Sequence, residues 1–302
     1  MFVKINELIV KSAFVNLVLS IILTSSLFVV FNYYKIFKVS LIQAICINYM
    51  VCLAVGFLFT FTTAPSENMM PSYWAGFGAG LFFLPIFWLM GHTTQTMGLT
   101  IAAIANKTSM VIPALVILLL EPQLMAQFTA WKFVAILLSL SAIILSNLNP
   151  QKGNPSFNRQ LIVLPFLLFL GGAAVDLAVN LAAYYTDPVY AAWIPVGAFS
   201  AAALSGTSVL IFRAIKSNET LPLRSLLGGI ALGIPNFFSL YYVVKTLDEY
   251  QNDGATVYPL INTGTILLNA LLAIFLFREK LNKYMVAGMI CAIASICLMS
   301  WA

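Results

Sequence analysis

Apolar positions in this chain come in long uninterrupted runs, and charged positions fall almost entirely between them. A helix rises about 1.5 Å per residue, so it needs about 20 mainly apolar residues to cross a hydrocarbon core of about 30 Å. Ten runs of about that length can be marked: 14–34, 41–61, 73–97, 99–120, 133–148, 161–184, 190–212, 226–244, 256–277 and 284–301. The longest polar connections, 149–160 and 213–224, hold about a dozen residues, which is the upper end for a connection without structure of its own. The expected fold is therefore all-α: a polytopic membrane protein of ten transmembrane helices with no soluble domain. The first run is too long for a signal-peptide core and ends on Asn32, Tyr33 and Tyr34, so the first helix is expected to stay in the mature protein.

Composition agrees with this pattern. The chain is 61% hydrophobic and 8% charged, far from the roughly one-quarter charged balance of a soluble domain. Its net charge of +5 raises the question of nucleic acid, and the placement of the charges answers it. Assigned to loops, ten basic residues fall on one side (Lys35, Lys38, Lys152, Arg159, Arg213, Lys216, Arg224, Arg278, Lys280, Lys283) and four on the other (Lys4, Lys11, Lys132, Lys245). That is a positive-inside signal, not a nucleic-acid patch, and it places both termini outside. The expected location is the cell membrane, multi-pass, which in a Gram-negative bacterium is the inner membrane. Cys46, Cys52, Cys291 and Cys297 all lie in apolar runs without a CxxC or Cys/His cluster, and read as buried apolar thiols.

Internal repetition carries the next step. The third run holds Gly78-Ala-Gly-Leu-Phe-Phe-Leu-Pro85 and the eighth Gly228-Gly-Ile-Ala-Leu-Gly-Ile-Pro235, each with a Phe two residues beyond the proline, Phe87 and Phe237. The first and sixth runs end on tyrosine pairs, Tyr33-Tyr34 and Tyr184-Tyr185, and the fourth and ninth end on Glu121-Pro-Gln-Leu124 and Glu279-Lys-Leu281. These matches keep the same order in both halves, which defines two five-helix units, 1–150 and 151–302. Five is odd, so the second unit enters the membrane from the opposite face, giving an inverted repeat with a site expected near the midplane.

With these features the chain resembles the drug/metabolite transporter superfamily, EamA-like family. The resemblance covers essentially the whole chain, and is most specific over 100–146 and 254–300. It implies alternating-access transport of a small metabolite through a central cavity lined by the first, third, fourth, sixth, eighth and ninth helices. The chain departs from the family in two respects. The small residue usual before the glutamate is Leu120 in one half and Arg278 in the other, and the basic-residue count sets the termini outside where the family generally has the N-terminus inside.

Candidate site residues follow from where polar groups interrupt the apolar runs. Lys107 lies ~10 to 13 Å inside the membrane from the nearer end of its helix, deeper than its stem comfortably spans by snorkelling. A charge near the bilayer centre costs roughly 2.5–3.5 kcal/mol on insertion scales, so it must face protein or water. Asn106, Thr108 and Ser109 stand beside it, and Pro113 frees a backbone carbonyl nearby. Asp176, the acid inside a span, has Asn180 one turn on and Gly171-Gly172 before it, which allow a neighbour close approach. One cation and one anion at depth suggest a pair. The ninth helix offers Tyr258, Asn262 and Thr265, with Thr265 at the repeat position equivalent to Lys107. Aromatic residues around Pro85 and Pro235 read mainly as packing, except Trp88 and Asn236, whose polar atoms need partners at depth.

The expected substrate-binding set is thus Lys107, Asn106, Asp176, Asn180, Trp88, Asn236, Tyr258, Asn262 and Thr265. No catalytic residue, metal site or cofactor is expected, and His92, the one histidine, reads as an interfacial residue. Glu121 and Glu279 read as caps for the helices that follow them. The expected partners are a small-molecule substrate, with a proton as a candidate coupling ion, and the lipid bilayer. A secondary transporter accounts for the repeat, the short loops and the isolated charges. The alternatives are an intramembrane enzyme, which lacks HExxH, GxSxG or an Asp-rich motif, and a channel, which would want a ring of like groups.

Overall fold

The computed structural model describes residues 2–60, 69–113, 116, 130–146, 148, 159–186, 190, 193–250 and 254–301. They form a helical bundle: α1 (Phe2–Ile36), α2 (Leu41–Thr60), α3 (Met70–Gly80), α4 (Phe83–Met97), α5 (Leu99–Thr108), α6 (Ala130–Ser146), α7 (Arg159–Tyr184), α8 (Trp193–Ser217), α9 (Leu223–Glu249), α10 (Gly254–Phe277) and α11 (Lys283–Trp301). Among the described residues six segments are long and apolar enough to cross a bilayer: Ala13–Ile36, Leu41–Phe59, Val163–Ala182, Trp193–Ser217, Leu223–Leu247 and Val257–Phe277. This is the architecture of a polytopic membrane protein. Ala130–Ser146 and Lys283–Leu298 are apolar but shorter.

Two of the expected continuous spans are interrupted, each four residues before a proline. Pro85 has no N–H for the Leu81 carbonyl, and its ring crowds that carbonyl. α3 and α4 accordingly meet at a 44° bend on either side of Leu81–Phe82, where the Phe82 N–H donates to Ala79 O at 3.2 Å. Pro113 acts in the same way on Ser109. α5 stops at Thr108, and the Ser109 carbonyl accepts from the Ile112 N–H at 3.0 Å before a further helical turn begins. Pro235 and Pro259 stay inside continuous α9 and α10.

Helix pairs are held at close range by glycine. Between α3 and α8, a Cβ on Gly76 or Gly80 would run into the carbonyl oxygen of Ile194 or Ala198, and one on Gly197 into that of Tyr73. Between α2 and α9, Cβ atoms on Gly229 and Gly233 would fall 2.9 Å from Ala44 O and 2.8 Å from Asn48 O. Lipid tails give helices no hydrophobic reason to associate, so close backbone approach through small residues supplies the contact. Other neighbours include α1 with α4, α9 and α10, α7 with α3, α4 and α5, α5 with α4 and α10, α2 with α8, and α6 with α11.

Aromatic side chains fill the centre. Tyr49 and Phe199 are fully buried, and Tyr49 meets Phe87 edge-on at 5.6 Å between ring centroids. Phe199 meets Phe83 at 5.9 Å and Phe237 at 6.1 Å. The Tyr49 hydroxyl donates to Phe83 O at 2.9 Å, so this large ring is buried with its polar tip satisfied. Of the four cysteines expected to be buried, Cys46 and Cys52 are; Cys297 is exposed, because its face of α11 turns away from the bundle.

Several contacts bring helix ends together on one side of the bundle. Lys35 Nζ donates to Gln95 O at 3.3 Å, Gln43 Nε2 to Thr220 O at 3.1 Å and Asn282 Nδ2 to Leu148 O at 3.1 Å. The Tyr33 and Phe277 rings meet at 5.1 Å. This end carries Lys35, Lys38, Arg213, Lys216, Arg224 and Arg278. Glu279 sits here too, and it caps a helix other than the one expected. Its carboxylate accepts from the Leu99 N–H at 2.9 Å and the Thr100 hydroxyl at 3.3 Å, so it closes the N-terminus of α5 rather than that of α11. The reason is local: the Glu279 N–H returns to Ala273 O at 2.9 Å past Arg278 at φ 53°, which swings the carboxylate back toward Gly98 at φ 98°. α11 is capped instead by Asn282 Oδ1, which accepts from the N–H groups of Tyr284 and Met285 at 2.9 Å. Glu121 lies outside the described residues.

Gly80→Val should abolish the monodisperse folded protein in size-exclusion chromatography, whereas Gly78→Val, at a position with open space around it, should not; equal behaviour of the two would remove the close-packing account. Glu279→Ala should lower the thermal stability of the purified protein by about 1 kcal/mol through loss of the α5 cap, with Glu279→Gln keeping part of it, as read by melting in detergent.

Candidate functional site

Helix α5 presents Lys107 two residues before the Pro113-induced break, about eight residues and therefore ~12 Å from its capped start. Lys107 and its neighbour Asn106 are half-buried, while Thr108 and Ser109 are fully buried. The Ser109 hydroxyl donates to the Asn106 carbonyl, so the turn is fastened on itself at the point where Lys107 projects. α7 lies directly against this turn. A Cβ on Gly172 would fall 3.0 Å from Asn106 Nδ2 and 2.8 Å from Ser109 Oγ, so the absence of a side chain there is what lets α7 approach.

One turn along α7 is Asp176, also half-buried. It stands close enough to Lys107 and to Tyr258 of α10 for its charge to act on both. Its Oδ2 lies 3.4 Å from Ser109 Oγ, a long contact for a hydrogen already given to Asn106 O. Lys107 and Asp176 do not close to within 4.0 Å; the ion pair that does so among the described residues is Arg213–Glu219 at 2.9 Å. Three helices thus place an ammonium and a phenol within electrostatic range of one carboxylate, with no closed ion pair between Lys107 and Asp176. Such an arrangement leaves hydrogen-bonding capacity on each group for something placed between them.

α10 continues the polar surface. Tyr258, Asn262, Thr265 and Asn269 recur at intervals of three or four and so share one face of the helix. Asn262 Nδ2 lies 2.8 Å from Met110 Sδ, on the turn that follows Lys107. Thr265 and Asn269 are fully buried, and the Thr265 hydroxyl and both amide atoms of Asn269 have no hydrogen-bond partner among the described residues. Asn269 is absent from the set expected from sequence; its spacing of four from Thr265 was the available signal. Such groups cost about 1–3 kcal/mol each when unsatisfied.

The structure therefore gathers Lys107, Asn106, Asp176 and Tyr258, with Asn262 and Thr265 on the adjoining face of α10 and half-buried Asn180 one turn beyond Asp176. Two expected members stand elsewhere. Trp88 is 42% exposed and stacks on His92 at 5.2 Å, because it shares the outward face of α4 with exposed Pro85, in line with Leu81. Asn236 is buried in the α2–α9 interface, where its Nδ2 donates to Asn48 Oδ1 at 3.1 Å. Asn48, a buried polar residue in the second apolar run, was the missed partner. Lys132 is more deeply covered than Lys107, at 5% exposure, but sits in the first turn of α6 and not at depth. Among the described residues no three His, Cys, Asp or Glu come together as a metal site would require.

No protein-family model matches the chain. It is 22% identical over 291 residues to an uncharacterized protein of Haemophilus influenzae, a match that covers 93% of this chain and 96% of that protein. It also superposes on a protein of known crystal structure with a TM-score of 0.58 at 16% identity, over 95% of this chain and 96% of the other. The second likeness shows a shared overall fold.

Removing one charge strands the other, and removing both does not. Lys107→Ala and Asp176→Ala should each lower the melting temperature more than the Lys107→Ala/Asp176→Ala double variant does. Strictly additive losses would show that the two groups are independent.

Proposed function

We propose that this chain is a secondary transporter that moves a small metabolite across the membrane by alternating access, and that it belongs with the EamA-like family of the drug/metabolite transporter superfamily. The observation that carries the proposal is the packing of α5 against α7 and α10, which sets Lys107 and Tyr258 within electrostatic range of Asp176 at depth without a closed ion pair. Charges in such a place are costly and mark pathways for substrates or protons.

Helix packing supports ten spans in two inverted halves, 1–150 and 151–302. Take α1, α2, α3–α4, α5 with the turn after it, and α6 as one half, and α7, α8, α9, α10 and α11 as the other. Exchanging equivalent members then turns one set of neighbours into another: α2 on α9 becomes α8 on α3, α1 on α10 becomes α7 on α5, and α2–α8, α5–α10 and α6–α11 map onto themselves. An internal two-fold relation with an odd number of spans per half is an inverted repeat, whose two mirror-related packings supply the two openings of a carrier. The gathering of basic helix ends on one side supports the cytoplasmic placement of that end and outward-facing termini.

In this proposal Lys107 meets an anionic group of the substrate, the Tyr258–Asn262–Thr265–Asn269 face meets hydroxyl or amide groups, and Asp176 loses the electrostatic support of Lys107 when substrate binds. Asp176 is then a candidate for carrying a coupled proton. Uptake of a metabolite panel into proteoliposomes should be found for at least one anionic or zwitterionic compound and should fall at least tenfold with Lys107→Ala. Asp176→Asn should keep exchange but lose accumulation driven by a pH gradient. Transport unaffected by Lys107→Ala would overturn the site, and pH-driven accumulation in Asp176→Asn would overturn the proton role.

A further inference from the structure

At the basic end of the bundle, away from the Lys107 cluster, the connections between α1 and α2 and between α8 and α9 line a wide-open cleft of about 730 Å³. Four cations line it: Lys35, Lys38, Arg213 and Arg224. The acid present, Glu219, is taken up by Arg213, whose Nε and Nη2 donate to its two oxygens at 2.9 Å each. That bidentate pair holds Glu219 below the usual carboxylate range, so it stays ionised and its charge is spent within the pair. Lys35, Lys38 and Arg224 are exposed and line the cleft, and Glu219 is the one acid among its lining residues.

The cleft is set at the level where helices leave the membrane. α1 and α8 end here and α2 and α9 begin here, and the Tyr34 hydroxyl donates to Gly228 O at 2.7 Å, tying the floor of the cleft together. Beside it runs a narrower slot of about 220 Å³, which shares Gln43, Arg213 and Glu219 with the cleft. Its remaining walls are Leu210, Ile211, Ala214 and Leu221, all apolar, and it follows the outer face of α8 into the membrane-spanning segment. An open basic cleft at the ends of membrane-length helices that adjoins an apolar slot matches an amphiphile: an anionic phosphate in the one and a hydrocarbon chain in the other. A soluble anion would use only the first.

We propose that this cleft and slot form a binding site for an anionic phospholipid, with its phosphate held by Lys35, Lys38 and Arg224 and one acyl chain laid in the slot against Ala214. Basic pockets between membrane helices on the cytoplasmic side bind such headgroups, and each Lys or Arg contributes appreciably to the attraction. The site is separate from the transport reading and does not depend on it.

The test is native mass spectrometry of the full chain released from nanodiscs containing phosphatidylcholine with a minor share of phosphatidylglycerol, together with thermal shift in detergent on adding phosphatidylglycerol or inorganic phosphate. The wild-type protein should retain phosphatidylglycerol in preference to phosphatidylcholine. The Lys35→Gln/Lys38→Gln/Arg224→Gln variant, which leaves the Arg213–Glu219 pair intact, should lose that preference by at least about tenfold. Ala214→Trp, which fills the slot, should weaken retention while every cation remains. Inorganic phosphate at millimolar concentration should leave the melting temperature unchanged. Equal retention of the two lipids by the wild type, full retention by either variant, or a shift with inorganic phosphate equal to that with lipid would each overturn the proposal, the last by making this a soluble-anion site.

Discussion

Inside a bilayer no water answers a polar group, so each one must be answered by the protein or placed where something else can reach it. The structure is organised by that constraint. At the prolines it dictates where helices may break: the Ser109 carbonyl freed by Pro113 is taken by the Ile112 N–H, and the bend ahead of Pro85 redirects the Phe82 N–H to Ala79. In the aromatic centre it dictates that Tyr49 enters only with its hydroxyl bonded to a backbone carbonyl. At Lys107 it leaves a charge that the chain answers only in part.

Among the described residues, Asn48 Nδ2 and several buried hydroxyls elsewhere in the bundle also lack partners, but at Lys107 the groups left open carry charge. Asn236 and Asn48 bond to each other across α2 and α9, as interhelical glue does, and Asn16 Nδ2 donates to Glu249 at 2.8 Å. Around Lys107 the groups are near but slack: Asp176 beyond contact distance, Ser109 already committed elsewhere, and Thr265 and Asn269 without partners. A purely structural pair gains by closing, because distance weakens its attraction while the desolvation cost remains. Slackness at depth is what a site that must release its contents requires, and this is why the proposed carrier centres here.

Glycine decides how near the helices come, and through that where the charges stand. Gly76 and Gly80 bring α3 onto α8, Gly229 and Gly233 bring α9 onto α2, and Gly172 lets α7 rest on the Asn106–Ser109 turn. A larger residue at Gly172 would push Asp176 away from Lys107. The same close packing converges α1, α2, α8 and α9 at one end, where basic side chains from loops nearly two hundred residues apart share a single cleft.

Much of this was legible in the sequence for one reason: a hydrocarbon core imposes length and apolarity on each crossing segment locally, so runs, loops and the sidedness of Lys and Arg can be read residue by residue. Lys107 and Asp176 stood out on the same ground, as charges where none is cheap, and Pro113 announced the break beside them. What the sequence left open depended on contacts between segments far apart in the chain. Trp88 and Asn236 have the same local credentials as Tyr258, yet the packing left one on the outward face of α4 and Asn48 claimed the other. Glu279 was readable as a cap, but which helix it caps was decided by the left-handed turn at Arg278, which aims it across the bundle at Leu99. Cost in the membrane is a property of single residues and shows in the sequence; compensation belongs to pairs, and only the packed helices settle which pairs form.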